Sequence, residues 1–367
     1  MESTSWRTTL WRRGRIPLLF LLGLLGLDLV VHAFRSTWRR YDPDEYRERV
    51  RACRDGAWDL VVFGGSPVHE GIDPALLRGA SWRGTPLRRV FNCGLEGATA
   101  SDTCLAVEQG LTTPPRLLVY GITASDVNDA RGEPHGPRML MGPADLATAW
   151  QLRPQATEWT TRHWLIGRAS RSWNLYHYRH GIRLWLADQF PSFAPEIAAE
   201  VQNNLRISTA IATNSGYAPR PEMRVRRLDR LKSRGWTGMP FKFLASYRLG
   251  GHIRYVERIL DWADTHGATA VLVDMPVSAD LEEIHFASDF QSYRQALRGL
   301  AASRDVRVVW ATRQAIGLTD ADFADLIHLN AVGSKRFSTW LRAQIEGWQT
   351  SEVLKTSEVL VATGDQP

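Results

Sequence analysis

The sequence predicts an α/β fold: a three-layer arrangement in which a parallel sheet is flanked by helices, interrupted by a helical Trp-rich insertion and preceded by an N-terminal transmembrane helix. Three observations carry this. Short apolar runs alternate with helix-patterned segments from Asp59 to Trp348, the pattern of parallel strands joined by crossover helices. The alternation stops between about Pro143 and Gly251, where Trp and Arg accumulate. A leucine-rich stretch, Ile16 to Phe34, follows an arginine cluster.

Taken in order, residues 1–15 carry Arg7, Arg12, Arg13 and Arg15 and are expected to stay on the cytoplasmic side. Residues 16–34 number nineteen, enough for a helix to span a bilayer. Asp28 and His32 interrupt the apolar character after Leu27. An uncleaved anchor is the favoured reading. A signal peptide cut near Val31-His32-Ala33 is the alternative. Both place the following chain outside the cytoplasm.

Residues 35–55 are Arg-rich and read as a short helical linker. The main domain is expected over 56–348. Its strands are Asp59–Phe63, Arg89–Phe91, Arg116–Tyr120, Ala270–Asp274 and Val306–Trp310, each a short apolar run bounded by turn residues. Helical spacing marks Ser101–Gly110, Ile253–His266, Phe290–Ser303 and Ala331–Trp348. The insertion at about 143–251 is expected to cap or border a site at the strand ends. Within it, Arg220 to Arg234 holds seven Lys or Arg residues. That run suits anionic glycans or lipid headgroups, or simply a solvated basic helix. Residues 349–367 repeat Thr-Ser-Glu-Val-Leu twice and read as a disordered tail.

Composition narrows the function. A net charge of +6 in 367 residues is too modest for dedicated nucleic-acid binding. No zinc spacing, Walker A or HExxH motif occurs, so no metal and no cofactor is expected. His177 and His180 lack carboxylate or cysteine partners in sequence. Cys53, Cys93 and Cys104 are odd in number and fit one disulfide in an exported domain, or three buried thiols.

The chemistry-bearing residues cluster after the predicted strands. Gly64-Gly65-Ser66 follows Leu60–Phe63, and Asp325-Leu326-Ile327-His328 lies near the C-terminus. A serine hydroxyl needs a base to become a nucleophile. A histidine near neutrality supplies one, and a carboxylate holds its tautomer. His69 and Glu70 are the competing bases near Ser66. Asn92-Cys93-Gly94-Leu95-Glu96-Gly97 opens a second turn, and Gly121–Asp129 follows the third strand. Asp126 and Asp129 are expected to brace that loop through side-chain-to-backbone bonds. Asp274 ends its strand, where it borders the cleft or caps the next turn.

These blocks resemble the SGNH (GDSL-like) hydrolase superfamily. Gly64-Gly65-Ser66 corresponds to its first block, with Gly71-Ile72-Asp73-Pro74 similar to membrane-associated branches. Gly97 matches the oxyanion glycine of the second block, and Asp325-x-x-His328 the last. The third block, normally Gly-x-Asn-Asp, is altered here. The resemblance covers roughly residues 58–129 and 252–345 and implies an SGNH/flavodoxin-like sheet with Ser66, Asp325 and His328 as a catalytic triad. It implies an oxyanion hole from the N–H groups of Ser66 and Gly97, with Asn128 or Ser125 as third donor. Asn128 ranks first because a carboxamide N–H is a fixed donor. The implied substrate is an acylated glycan or another acyl ester, cleaved or transferred outside the cytoplasm, with the membrane as the other partner. The alternatives are a catalytically weak binding or assembly protein, and a lipase-like esterase.

Overall fold

The computed structural model describes residues 5–41, 45–130, 135–193, 197–213, 216–217, 247–284 and 287–362. Strands β1 (Leu60–Gly64), β4 (Val90–Gly94), β5 (Leu117–Ile122), β6 (Thr269–Asp274) and β7 (Arg307–Trp310) form one sheet, in the order β4-β1-β5-β6-β7. Every pairing in it is parallel. A small antiparallel hairpin, β2 (Ser81–Trp82) and β3 (Thr85–Pro86), turns through Arg83 and Gly84. The strands of the large sheet are those the apolar runs predict, displaced by at most three residues at their ends.

Burial on both faces explains why these runs are continuously apolar rather than alternating. On one face Val61, Phe63, Phe91, Cys93, Leu118 and Tyr120 join a core shared with helices Glu45–Arg54, Ala100–Gly110 and His252–His266. On the other, Leu60, Val62, Val90, Val119 and Val271 pack with Leu77, Phe337, Leu341 and Ile345. Each such side chain contributes about 1.5–3 kcal/mol when fully buried.

The sheet order reverses at β1, which has β4 on one side and β5 on the other. Crevices at such reversals, beyond the C-terminal strand ends, are where ligands bind in open α/β sheets. The backbone at the end of β1 needs glycine. Gly64 has φ +150°, and a Cβ there would sit 2.3 Å from Gly121 O and 2.5 Å from a Val68 methyl. Gly121, its register partner in β5, is equally constrained: a Cβ would lie 2.3 Å from the same methyl.

The chain divides into two compact units. Met1–Asp44 with Leu165–Ser208 forms one, and Glu45–Trp164 with Thr209–Pro367 the other. This moves two expected boundaries. Helix Glu45–Arg54 belongs to the α/β unit rather than to a linker, because Tyr46, Val50 and Cys53 are buried in its core. The insertion is likewise divided. Helix Pro143–Leu152 stays with the α/β unit, while residues 165–208 pack with the N-terminal segment. The basic run Arg220–Arg234 lies outside the described residues.

In the smaller unit, Asp28 accepts from Asn174 Nδ2 at 2.9 Å and from Leu175 N at 2.7 Å. Trp38 donates to Val31 O at 2.9 Å, and its ring meets Trp185 edge-on at 5.4 Å. Tyr41 donates to Asp188 at 2.6 Å. Among the described residues no single helix is long and apolar enough to cross a membrane. Pro17–Ala33 and Arg35–Tyr41 meet the requirement of length and composition only together, with a bend of 69°. The last helix runs from Ala331 to Ala362, so residues 349–362 extend it instead of forming an irregular tail. The repeated Ser-Glu-Val-Leu contains no helix breaker before Gly364.

Candidate active site

Ser66 is the first residue of helix Ser66–Gly71, immediately past β1. Pro67 follows it, a residue suited to a helix's first turn. As the first helical residue, Ser66 has no intrahelical acceptor for its N–H. The helix is held from below by Asn92, which is fully buried in β4 rather than placed in a turn. Its Nδ2 donates to Val68 O at 2.9 Å and Ile72 O at 2.7 Å, and its Oδ1 accepts from Gly94 N at 2.8 Å. Glycine at 94 lets the helix approach: a Cβ there would be 2.4 Å from His69 N. Sequence reasoning missed this role of Asn92. A polar residue inside an otherwise apolar strand was the available signal, since buried carboxamides require partners.

The histidine arrives on a tightly closed loop. Thr319 and Asp322 form a capping box, Phe323 bridges Leu329, and Ala324 N donates to His328 O at 2.8 Å. Asn330 Nδ2 donates to Ala321 O at 2.7 Å, while Asn330 Oδ1 accepts from Val332 N and Gly333 N, starting the last helix. Asp325 Oδ1 accepts from the backbone N–H groups of Ile327 and His328 at 3.0 and 2.9 Å. The carboxylate is therefore fixed before it meets the imidazole.

These elements bring Ser66, His328 and Asp325 together. His328 Nε2 lies 2.8 Å from Ser66 Oγ. His328 Nδ1 lies 2.8 and 2.7 Å from the two Asp325 oxygens. With Nδ1–H donating to the carboxylate, Nε2 is the acceptor facing the serine hydroxyl. Ser66 and His328 are 9% and 8% exposed, which shields the pair while leaving it reachable. The competing base His69 does not face this way: its Nε2 accepts from the buried Arg49 guanidinium.

Gly97 adopts φ +69°, the left-handed conformation that glycine favours in the turn after β4. The third-block loop is braced by its acids, as expected. Asp126 Oδ2 accepts from Thr123 N at 2.7 Å, and its other oxygen lies against Gly65, 3.3 Å from where a Cβ would be. Asp129 accepts from Gly251 N at 2.7 Å, His252 N at 2.9 Å and the His252 ring at 2.8 Å. Burial alone raises the Asp129 carboxyl. The hydrogen bonds from His252 and Gly251 outweigh it and hold the group below the usual carboxylate range. Burial pushes the His252 imidazole down, so it is a neutral donor to Asp129.

The two third-donor candidates differ. Asn128 is fully buried, and its oxygen accepts from Ala130 N at 3.0 Å and Arg248 N at 2.9 Å. Its side chain holds residues 248–249, which bridge to it, onto the loop. Ser125 is half-buried, and its hydroxyl lies 2.9 Å from Thr123 Oγ1.

Asp274, expected to border the cleft or cap the next turn, is engaged with a helix. It is buried and accepts from Tyr293 OH at 2.9 Å, tying helix Ala287–Arg304 to the end of β6. Burial raises its pKa to about 6, against the lowering effects of Tyr293 and Arg294. The two histidines considered as a metal pair are engaged separately. His180 meets Glu200 at 3.1 Å, and His177 packs on the Tyr178 ring. Among the described residues no group of three His, Cys, Asp or Glu side chains is placed to hold a metal ion. No family model matches the sequence, and no curated protein matches it.

Proposed function

We propose that this chain is an SGNH-type serine esterase or O-acyltransferase. It acts outside the cytoplasm on acyl esters, chiefly acetyl esters, of cell-surface or secreted glycans. The observation that carries this reading is the continuous contact Ser66 Oγ–His328 Nε2, with His328 Nδ1 on Asp325. His328 takes the serine proton as Ser66 Oγ bonds to the ester carbonyl carbon. Asp325 stabilises the imidazolium that forms. Collapse of the tetrahedral species breaks the C–O bond, and His328 returns the proton to the departing alcohol. Water or a sugar hydroxyl then gives its proton to His328 and attacks the acyl-serine, so hydrolysis and transfer share one intermediate.

The oxyanion is to be held by the N–H groups of Ser66 and Gly97. Ser125 is the better third donor, because it retains exposure while Asn128 is fully buried. A hole of only two donors favours the second reading, a slow or inactive binding protein on the same fold.

Membrane attachment belongs to the same proposal. Leu19, Phe20 and Leu29 are each at least 66% exposed on helix Ser5–Ala33, an apolar surface suited to lipid. Arg7, Arg12, Arg13 and Arg15 lie before them. The contacts of Asp28 with Asn174 and Leu175 favour an anchor that is retained, since cleavage after Ala33 would remove them.

The test is to incubate the full chain in detergent with an activated acetyl ester, with and without oligosaccharide. Ester turnover and serine labelling by a fluorophosphonate are expected, with acetylated sugar marking transfer. A folded chain that neither turns over ester nor takes the label rules out the enzyme and leaves the binding protein.

A further inference from the structure

Helix Glu45–Arg54 lies along β4 and the turn after it, and contacts them at three levels. Tyr46 OH donates to Glu96 O at 2.7 Å, next to Gly97 in the proposed oxyanion turn. Arg49 Nη1 donates to Asn92 O at 3.2 Å. At the third level, the Cys53 and Cys93 thiols are neighbours in one buried cluster. Residues 46, 49 and 53 share one face of the helix, and Cys93 points to that face with Phe91 and Leu95. Trp58 fixes the helix end here: its Nε1 donates to Cys53 O at 2.8 Å, and its ring stacks on Phe91 at 4.9 Å. Both cysteines are buried thiols at most 1% exposed. Cys104 is engaged elsewhere, its Sγ lying 3.7 Å from Glu108 on its own helix.

We propose that Cys53 and Cys93 are a disulfide-forming pair that ties the helix after the N-terminal segment to the strand bearing the oxyanion turn, and that Cys104 remains a thiol. In the cell this rests on the extracytoplasmic reading above, since that compartment supplies disulfide oxidants. The step is thiol–disulfide exchange with a small-molecule disulfide such as oxidised glutathione. One thiolate attacks the oxidant's sulfur and expels a glutathione thiolate. The second cysteine thiolate then attacks the mixed disulfide and expels the other. Two thiol protons and two electrons leave the protein, and one oxidised glutathione becomes two reduced molecules. Burial, followed by the neighbouring Cys93, holds the Cys53 thiol well above its ordinary pKa. The folded pair is therefore slow to react, and the bond forms while the helix is docking.

The full chain, reduced and unfolded, is refolded in detergent with reduced and oxidised glutathione, then alkylated. Trypsin and a protease cutting before Asp separate Val90–Ser101 from Cys104, because trypsin alone leaves Cys93 and Cys104 on one peptide. The expected product is Ala52–Arg54 linked to Val90–Ser101, with Cys104 alone alkylated. Cys104→Ser keeps the linked peptide and Cys53→Ser abolishes it. Linkage through Cys104, or three alkylated thiols in a chain with native circular dichroism, overturns the pair. For a chain that fails to refold, the same digest on exported protein trapped with alkylating agent before lysis decides the matter by the same two outcomes. Ester turnover reads the other proposal separately: a linked peptide without turnover removes only the triad, and turnover with three thiols removes only the disulfide.

Discussion

Ser66 contributes little packing of its own, so its removal tests chemistry rather than stability. Ser66→Ala is expected to lower ester turnover at least about a thousandfold, with an unchanged unfolding midpoint. Equal turnover by variant and parent excludes Ser66 as nucleophile. The third-donor assignment separates two residues by what they change. Ser125→Ala should lower kcat by about a hundredfold with KM little altered, as loss of a donor to the transition state does. Asn128→Ala should instead lower stability, because two backbone N–H groups lose their acceptor. The reverse pattern in paired kinetic and denaturation measurements returns the donor role to Asn128. Asp274 gives a pH signature. Its folded pKa, about 6, lies above the usual carboxylate value, so its ionisation is disfavoured by folding. The neutral carboxyl is tolerated at low pH, and stability falls as pH rises through the interval up to about 6. Asp274→Asn should therefore gain relative to the parent between pH 4 and 7, by an amount of order 3 kcal/mol. Urea midpoints that differ by the same amount at both pH values contradict this.

The third-block loop and the end of the insertion are joined through Asp129, which gathers two backbone N–H groups and an imidazole into one buried cluster. Leaving a buried donor without its acceptor typically costs about 1–3 kcal/mol. Asp129→Ala is expected to lose about that much in chemical denaturation. The carboxyl is held below its unfolded value, so its contribution is present above about pH 4 and fades on acidification below it. A variant whose stability matches the parent at pH 7 argues against the cluster. The elements themselves were largely legible from sequence. Leu60–Phe63 and Leu117–Tyr120 are buried on both faces, and continuous apolar runs announce that. The convergence of Ser66 with Asp325-x-x-His328 was legible because the serine sits where a predicted strand ends and the Asp-x-x-His spacing is distinctive. Asn92's grip on the nucleophile helix was not, because its acceptors lie twenty or more residues away. Helix Glu45–Arg54 read as linker because its arginines mask a narrow buried stripe of Tyr46, Val50 and Cys53. The pairing of residues 165–208 with the N-terminal segment rests on long-range contacts such as Asp28–Asn174, which no local pattern encodes.

The chain carries an N-terminal helix with exposed apolar side chains and a parallel sheet that bears the proposed triad. The contacts of Asp28 and Trp38 make the end of that helix part of a folded unit. On the proposed extracytoplasmic reading, the intact mass of the protein is therefore expected to include residues 1–33. A mature chain beginning at Phe34 would overturn the retained anchor. The proposed nucleophile and its base are separated by 262 residues of chain. That separation bears on biogenesis. Ser66 emerges early in synthesis and has no base until the C-terminal loop has been made and closed through Asp322 and Asn330. On the proposed triad, any product of premature termination before residue 328 carries an unarmed serine. Synthesis and closure of the His328 loop is, on the same proposed triad, the step that makes Ser66 reactive.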